Sequence, residues 1–120
     1  MNEIYQISDM KKVSTRYIHF YRRMREQKIV DHMHQLFTYA CLVGVKEEKR
    51  NEGSKTDDIC NVGNIDKNNL EVIKGIVLMK CDPINADNLL KEIENYADGG
   101  IEVLMRDFEN EGTIRIDKYI

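Results

Sequence analysis

Apolar residues recur at three- and four-residue steps over most of this chain. Between residues 8 and 24, Met10, Val13, Tyr17, Tyr21 and Met24 fall on one side of a helix. Ser8 or Asp9 supplies a cap for its first turn. Tyr5 and Ile7 alternate just ahead of it, as in a short extended arm. A second helix is expected from about Lys28 to Val45. Ile29, Met33, Leu36, Phe37, Ala40 and Cys41 give it the broadest apolar stripe of the chain, so it is expected at the centre of the core. The stripe ends at Gly44, a residue type that takes positive φ easily at helix ends. Lys46, Lys49 and Arg50 stand at the exit, where cations suit the negative end of the helix dipole.

Residues 51–68 break the pattern. NEGSKTDDICNVGNIDKN is rich in Asn, Gly, Asp, Ser and Lys and reads as a long polar loop, with Ile59, Cys60, Val62 and Ile65 pinning part of it to the core. A third helix is expected from about Asn68 to Lys80, with Leu70, Ile73, Val77 and Cys81 inward, closed by the only proline, Pro83. A last long helix starts at Asn85 or Asp87 and carries Leu89, Leu90, Ile93, Tyr96, Ala97, Ile101, Leu104 and Phe108. Asp98-Gly99-Gly100 interrupts it. Each interior glycine costs about 1 kcal/mol relative to alanine, so the pair either kinks the helix or admits another backbone. After Gly112, Ile114, Ile116 and Ile120 alternate, as in a short strand that could pair with the N-terminal arm. The expected fold is a mainly α, compact bundle of four to five helices in one domain spanning residues 1–120, with a small two-stranded element from the termini.

Composition agrees with one folded domain. Of 120 residues, 42% are hydrophobic and 32% charged, an ordinary globular balance. No apolar run approaches the roughly 20 residues of a membrane helix, and the first ten residues lack the pattern of a signal peptide. The expectation is a cytoplasmic protein with no membrane association. Cys41, Cys60 and Cys81 are widely spaced, odd in number and without a CxxC, against a disulfide framework or a zinc knuckle.

Charge is distributed unevenly. Residues 1–35 hold seven basic and four acidic residues, a net +3, whereas residues 82–120 hold four basic and ten acidic residues, a net −6. Such polarity favours a defined orientation toward a charged partner.

Candidate chemistry is sparse. Asp31, His32 and His34 resemble metal ligands, but on a helix His32 and His34 diverge by about 200°, so no metal site is expected. The glycines fit neither phosphate-loop pattern, and no nucleophile elbow is present. The paired carboxylates lack a neighbouring base. No catalytic residue and no cofactor are assigned. Arg16, Arg22, Arg23 and Arg25, interleaved with Tyr17, Phe20 and Tyr21, form a basic aromatic cluster suited to phosphates and bases. The acidic total argues against strong stand-alone nucleic-acid binding.

Two segments carry a family resemblance. HQLFTYACLVGVKEEKR resembles the apolar helix and basic exit of the small Dnd-system-associated proteins, and ENYADGGIEVLMRDF is similar to their EYANGGLEIL segment. Val45 departs from the pattern, where an aromatic residue is expected, and the arginine-bearing N-terminal helix has no counterpart. The resemblance implies an accessory protein encoded with DNA phosphorothioation or related anti-phage restriction systems. It brings no catalytic residues, and Tyr96, Gly99 and Gly100 map onto its motif as a helix-packing or docking feature.

The function expected is a non-catalytic subunit of a bacterial defence complex. An acidic helix face and the edge carrying Lys46, Lys49 and Arg50 would dock a larger ATPase, nuclease or DNA-binding protein. The alternatives are a small DNA-binding regulator acting through Arg16, Arg22, Arg23 and Arg25, and a phage-encoded inhibitor of a host defence enzyme.

Overall fold

Val13 and Thr15 are both fully buried and alternate with the outward Lys12 and Ser14. That period of two makes Lys12–Thr15 a strand, β1, where the spacing of Met10, Val13 and Tyr17 predicted helix. Met10 is 79% exposed, so it belongs to no buried face. The computed structural model describes residues 3–119. After a 3₁₀ turn at Glu3–Tyr5 and β1 come α1 (Ile18–Glu26), α2 (Met33–Lys46), β2 (Asp57–Asn61), a 3₁₀ turn at Val62–Asn64, α3 (Lys67–Leu78), α4 (Ala86–Glu111) and a 3₁₀ turn at Ile116–Tyr119. Among the described residues the architecture is mainly α, with four helices and one small antiparallel sheet.

The sheet does not come from the termini. β1 pairs with β2, which lies inside the segment expected as a polar loop. Lys12 faces Asn61, Val13 faces Cys60, Ser14 faces Asp58 and Thr15 faces Asp57, so Ile59 is the extra residue of a bulge. Ile59, Val62 and Ile65 are buried, as expected, and hold this segment to the core. The C-terminal stretch is a 3₁₀ turn rather than a strand as far as Tyr119, and Ile120 lies outside the described residues.

Helix ends are set by local backbone geometry. α1 stops where Lys28 turns left-handed, at φ 58°, with the Lys28 and Ile29 N–H groups donating to the Arg25 and Met24 carbonyls. Lys28 therefore ends α1 instead of starting α2. α2 begins after His32, whose N–H donates to Gln35 Oε1 at 3.0 Å. Its reversal falls on Glu48, at φ 54°, with the Lys49 N–H donating to the Gly44 carbonyl at 2.8 Å. Gly44 thus lies inside α2, not at its end. Asp66 caps α3 by accepting from Asn68 and Asn69 N–H. α3 ends at Leu78, well before Pro83. Asn85 caps α4 by accepting from Asn88 N–H at 3.0 Å, and Gly112, at φ 75°, closes it.

α4 runs unbroken through Asp98-Gly99-Gly100. The glycines admit another backbone. A Cβ at Gly100 would lie 1.8 Å from the Ala40 carbonyl oxygen, and one at Gly44 would lie 1.9 Å from that of Tyr96. α2 and α4 therefore cross with their backbones in contact, and this pair makes the most extensive packing in the molecule. Leu36, Phe37, Cys41 and Val43 of α2, Leu89, Ile93, Ile101 and Leu104 of α4, and Tyr21 and Met24 of α1 fill the core.

Candidate functional site

Residues 47–56 leave α2 and run along α4 before entering β2. A Cβ at Gly99 would lie 2.1 Å from the Lys49 carbonyl oxygen, so this strap is held directly against α4. The Asn51 N–H donates to the Asn95 carbonyl at 2.9 Å. Below it lies a polar seam built from Glu94, Asp98 and Glu102, which recur every four residues along α4.

Asp98 is fully buried. Its carboxylate accepts from Thr15 Oγ1, from the Arg16 N–H at 3.3 Å and from Lys55 Nζ at 2.9 Å. Lys55 also donates to the Asn51 carbonyl at 2.8 Å. A charge so deeply buried is tolerated because every side is hydrogen-bonded and a counter-ion is present. Glu102 accepts from Tyr17 Oη and from Asn51 Nδ2, the latter at 2.5 Å. Burial, then the Glu102 hydrogen bond, push the Tyr17 phenol up to about 12. Glu94 Oε2 accepts from the Ser14 N–H at 2.7 Å, which covers the open edge of β1. Desolvation pushes the Glu94 carboxyl up to about 7, against the hydrogen bond from Ser14 and the nearby Lys55 and Lys91.

Part of the acidic charge of residues 82–120 is therefore turned inward. Glu94, Asp98 and Asp107 are buried and bonded to groups of the same chain. Asp87, Glu109 and Glu111 remain exposed on α4, so little of the −6 is presented as one face.

The expected docking residues separate into two groups. Gly99 and Gly100 are covered by the chain's own backbone, and Tyr96 is only 9% exposed, so these three act in internal packing and present little surface. Lys46, Lys49 and Arg50 are exposed. Lys46 Nζ donates to the Tyr119 carbonyl at 3.1 Å. Arg50 is bound: its Nε and Nη2 donate to Glu92, its Nη1 donates to Glu52 at 2.6 Å, and its guanidinium lies 6.0 Å from the centre of the Tyr96 ring. The Glu92 hydrogen bond raises its already high pKa. Of the three, Lys49 makes no side-chain hydrogen bond or ion pair among the described residues.

Beside this edge lies a surface that the spacing of the sequence did not mark. Lys80 Nζ reaches Glu48 at 3.9 Å, which brings the 79–85 linker against the α2 exit. The linker carries Met79 and Ile84, 83% and 82% exposed. Tyr5 Oη donates to the Pro83 carbonyl at 2.7 Å and fastens the linker from the other side. A cleft of about 400 Å³ opens between linker, strap and α4, lined by Arg50, Glu52, Asp82, Ile84, Lys91 and Glu92 among others.

The arginine cluster is dispersed. Arg16 Nη1 donates to Asn51 Oδ1 at 3.3 Å, and Arg23 lies over the Phe108 ring at 4.7 Å. Arg22 and Arg25 are exposed, one turn apart on α1. Tyr21, expected among the aromatics, is fully buried. His32 precedes α2 in extended conformation, so its ring stacks on that of His34 at 5.1 Å instead of diverging from it. Burial pushes the Cys41 thiol up to about 12 and the Cys60 thiol up to about 11. Among the described residues, no three His, Cys, Asp or Glu side chains are grouped to hold a metal ion, and no helix is long and apolar enough to cross a membrane.

The spacing of Glu94, Asp98 and Glu102 was a readable signal for the seam. Lys55, Met79 and Ile84 carried none, since a lysine in a polar loop and apolar residues near a helix end are both ordinary. Compared with family models, with curated proteins and with solved structures, the chain gives no match.

Proposed function

We propose that this protein is a non-catalytic accessory subunit of a bacterial anti-phage defence complex of the DNA phosphorothioation or restriction type. It docks a larger ATPase, nuclease or DNA-binding protein through the rim formed by Lys46–Arg50 and the 79–85 linker. The observation that carries the docking is the exposure of Met79 and Ile84 on the linker whose Lys80 reaches Glu48 at the α2 exit. Apolar side chains of that size, with a charged border, are what a partner covers. The defence context rests on the resemblance of the 34–50 and 94–108 segments.

The test is affinity purification of the tagged protein from its host, with mass spectrometry, at moderate and high salt. The wild type should bring down one larger protein in stoichiometric amount, and the Met79→Asp, Ile84→Asp double variant should lose it. Recovery of the protein alone, or equal capture by the variant, would overturn the docking reading.

A second reading is a DNA-binding regulator. It is favoured by Arg22 and Arg25, which are exposed and make no ion pair among the described residues. It requires a mobility shift that fades steeply with salt and disappears in Arg22→Glu, Arg25→Glu.

A further inference from the structure

The cleft beside the linker has spare acceptors. Arg50 lines it, and its guanidinium is already shared by two carboxylates, Glu92 and Glu52. Glu92 is spent, because it also accepts from Asn95 Nδ2 at 3.1 Å. Glu52 is not: among the described residues it receives only Nη1 of Arg50, and its side chain is 70% exposed. Asp82, in the same wall, is exposed and makes no ion pair among the described residues. Asn95 also lines the cleft, and its buried Oδ1 has no hydrogen-bond donor among the described residues. Lys91 at the rim offsets one charge, and the cleft retains a net charge of −1, from three acids against two bases. Spare acceptors therefore border one of the most exposed apolar side chains among the described residues, Ile84.

We propose that this cleft receives an arginine side chain of the partner protein, with an apolar neighbour of that arginine laid over Ile84. A guanidinium suits the site because its planar fork presents five donors and reaches several acceptors at once, while its faces tolerate apolar contact. This deepens the docking function proposed above and rests on it. It sets the chemistry of the docked segment, a basic residue flanked by apolar ones.

The test uses the full-length, isotope-labelled protein and three probes: the peptide Ac-Leu-Arg-Leu-NH₂, its citrulline counterpart and agmatine. Backbone amide shifts are followed on titration. The arginine peptide should give saturable shifts centred on Asp82, Ile84, Asn88 and Asn95. The citrulline peptide, which has the shape without the charge, should bind at least tenfold more weakly. Asp82→Lys should abolish the shifts without changing the thermal midpoint. Absence of saturable shifts, or equal binding of the citrulline peptide, would overturn the arginine assignment. Agmatine binding as tightly as the peptide would overturn it in favour of a small-cation site. Failure here is separable from failure of the docking function. If a partner is still captured from the host and lost in Met79→Asp, Ile84→Asp, the docking rim stands and only the arginine assignment falls.

Discussion

Lys55 Nζ stands 2.9 Å from Asp98 Oδ2, with the Asp98 side chain fully buried and that of Lys55 9% exposed. The pair joins the strap to the middle of α4, next to the two glycines against which the strap and α2 pack. It thereby fixes the position of the α2 exit, and with it one side of the proposed docking rim.

Removing one partner of such a pair leaves an uncompensated buried charge. Asp98→Ala is expected to lower stability by about 3–5 kcal/mol. Lys55→Met leaves the buried Asp98 carboxylate with only the Thr15 hydroxyl and the Arg16 N–H and is expected to cost a similar amount. Urea unfolding followed by circular dichroism measures both, and the double variant gives their coupling. Equal and small losses would mean that the seam contributes little.

The glycines of the helix crossing and Gly75 of α3 should behave in opposite ways according to what surrounds them. Gly100→Ala and Gly44→Ala bring a Cβ against a carbonyl oxygen, at 1.8 and 1.9 Å. The backbones must separate, at a cost of about 3 kcal/mol or more. At Gly75, inside α3, an added Cβ would meet nothing within 4 Å. Gly75→Ala should therefore stabilise by about 0.5–1 kcal/mol through the unfolded chain. Thermal midpoints of the three variants check the contrast.

Stability should fall as pH rises through the window between about 4.5 and about 7. Glu94 is the cause: burial pushes its carboxyl up to about 7 from an ordinary 4.5. Between those values the folded protein keeps a proton that the unfolded chain has released, so the folded state is favoured by acid and the advantage is lost by about pH 7. Glu94→Gln retains an acceptor for the Ser14 N–H and should flatten that part of the profile. Denaturant midpoints measured across that window and just above it would show the fall, and an unchanged slope in the variant would assign the effect to another group.

Charge reversal at the α2 exit should separate docking from folding. Lys49→Glu is expected to change stability by less than about 0.5 kcal/mol and to weaken partner capture several-fold at moderate salt. Arg50→Glu should lower stability by about 1–2 kcal/mol, because it puts a carboxylate against Glu92 and Glu52 and unfastens the strap. Paired unfolding and capture measurements distinguish the two, and loss of capture in Arg50→Glu alone would point to the strap rather than to a charged contact.

Long, uninterrupted apolar stripes were enough to locate three of the helices. α2, α3 and α4 lie close to where their spacing put them, with Leu36, Ile73, Leu89 and Ile101 inward, because a 3.6-residue period over several turns has one buried solution. The chain also marked residues 98–100 as a place where the helix kinks or another backbone comes close, and the packing against Ala40 and Lys49 selects the second. Contacts between distant segments settled the rest. Val13 belongs equally to a helical and to an alternating pattern, and only the pairing of β1 with β2, a partner far along the chain, selects the strand. Gly44 has the same residue type whether it ends a helix or seats another, and the carbonyl of Tyr96 decides which. The acids of α4 raise the negative charge in any count, yet Asp98 faces inward because Lys55 and Thr15 meet it there. Periodicity records which face of one element is dry. Which element lies against that face, and what its polar atoms offer, depends on contacts between residues far apart in the chain, and no local pattern carries them.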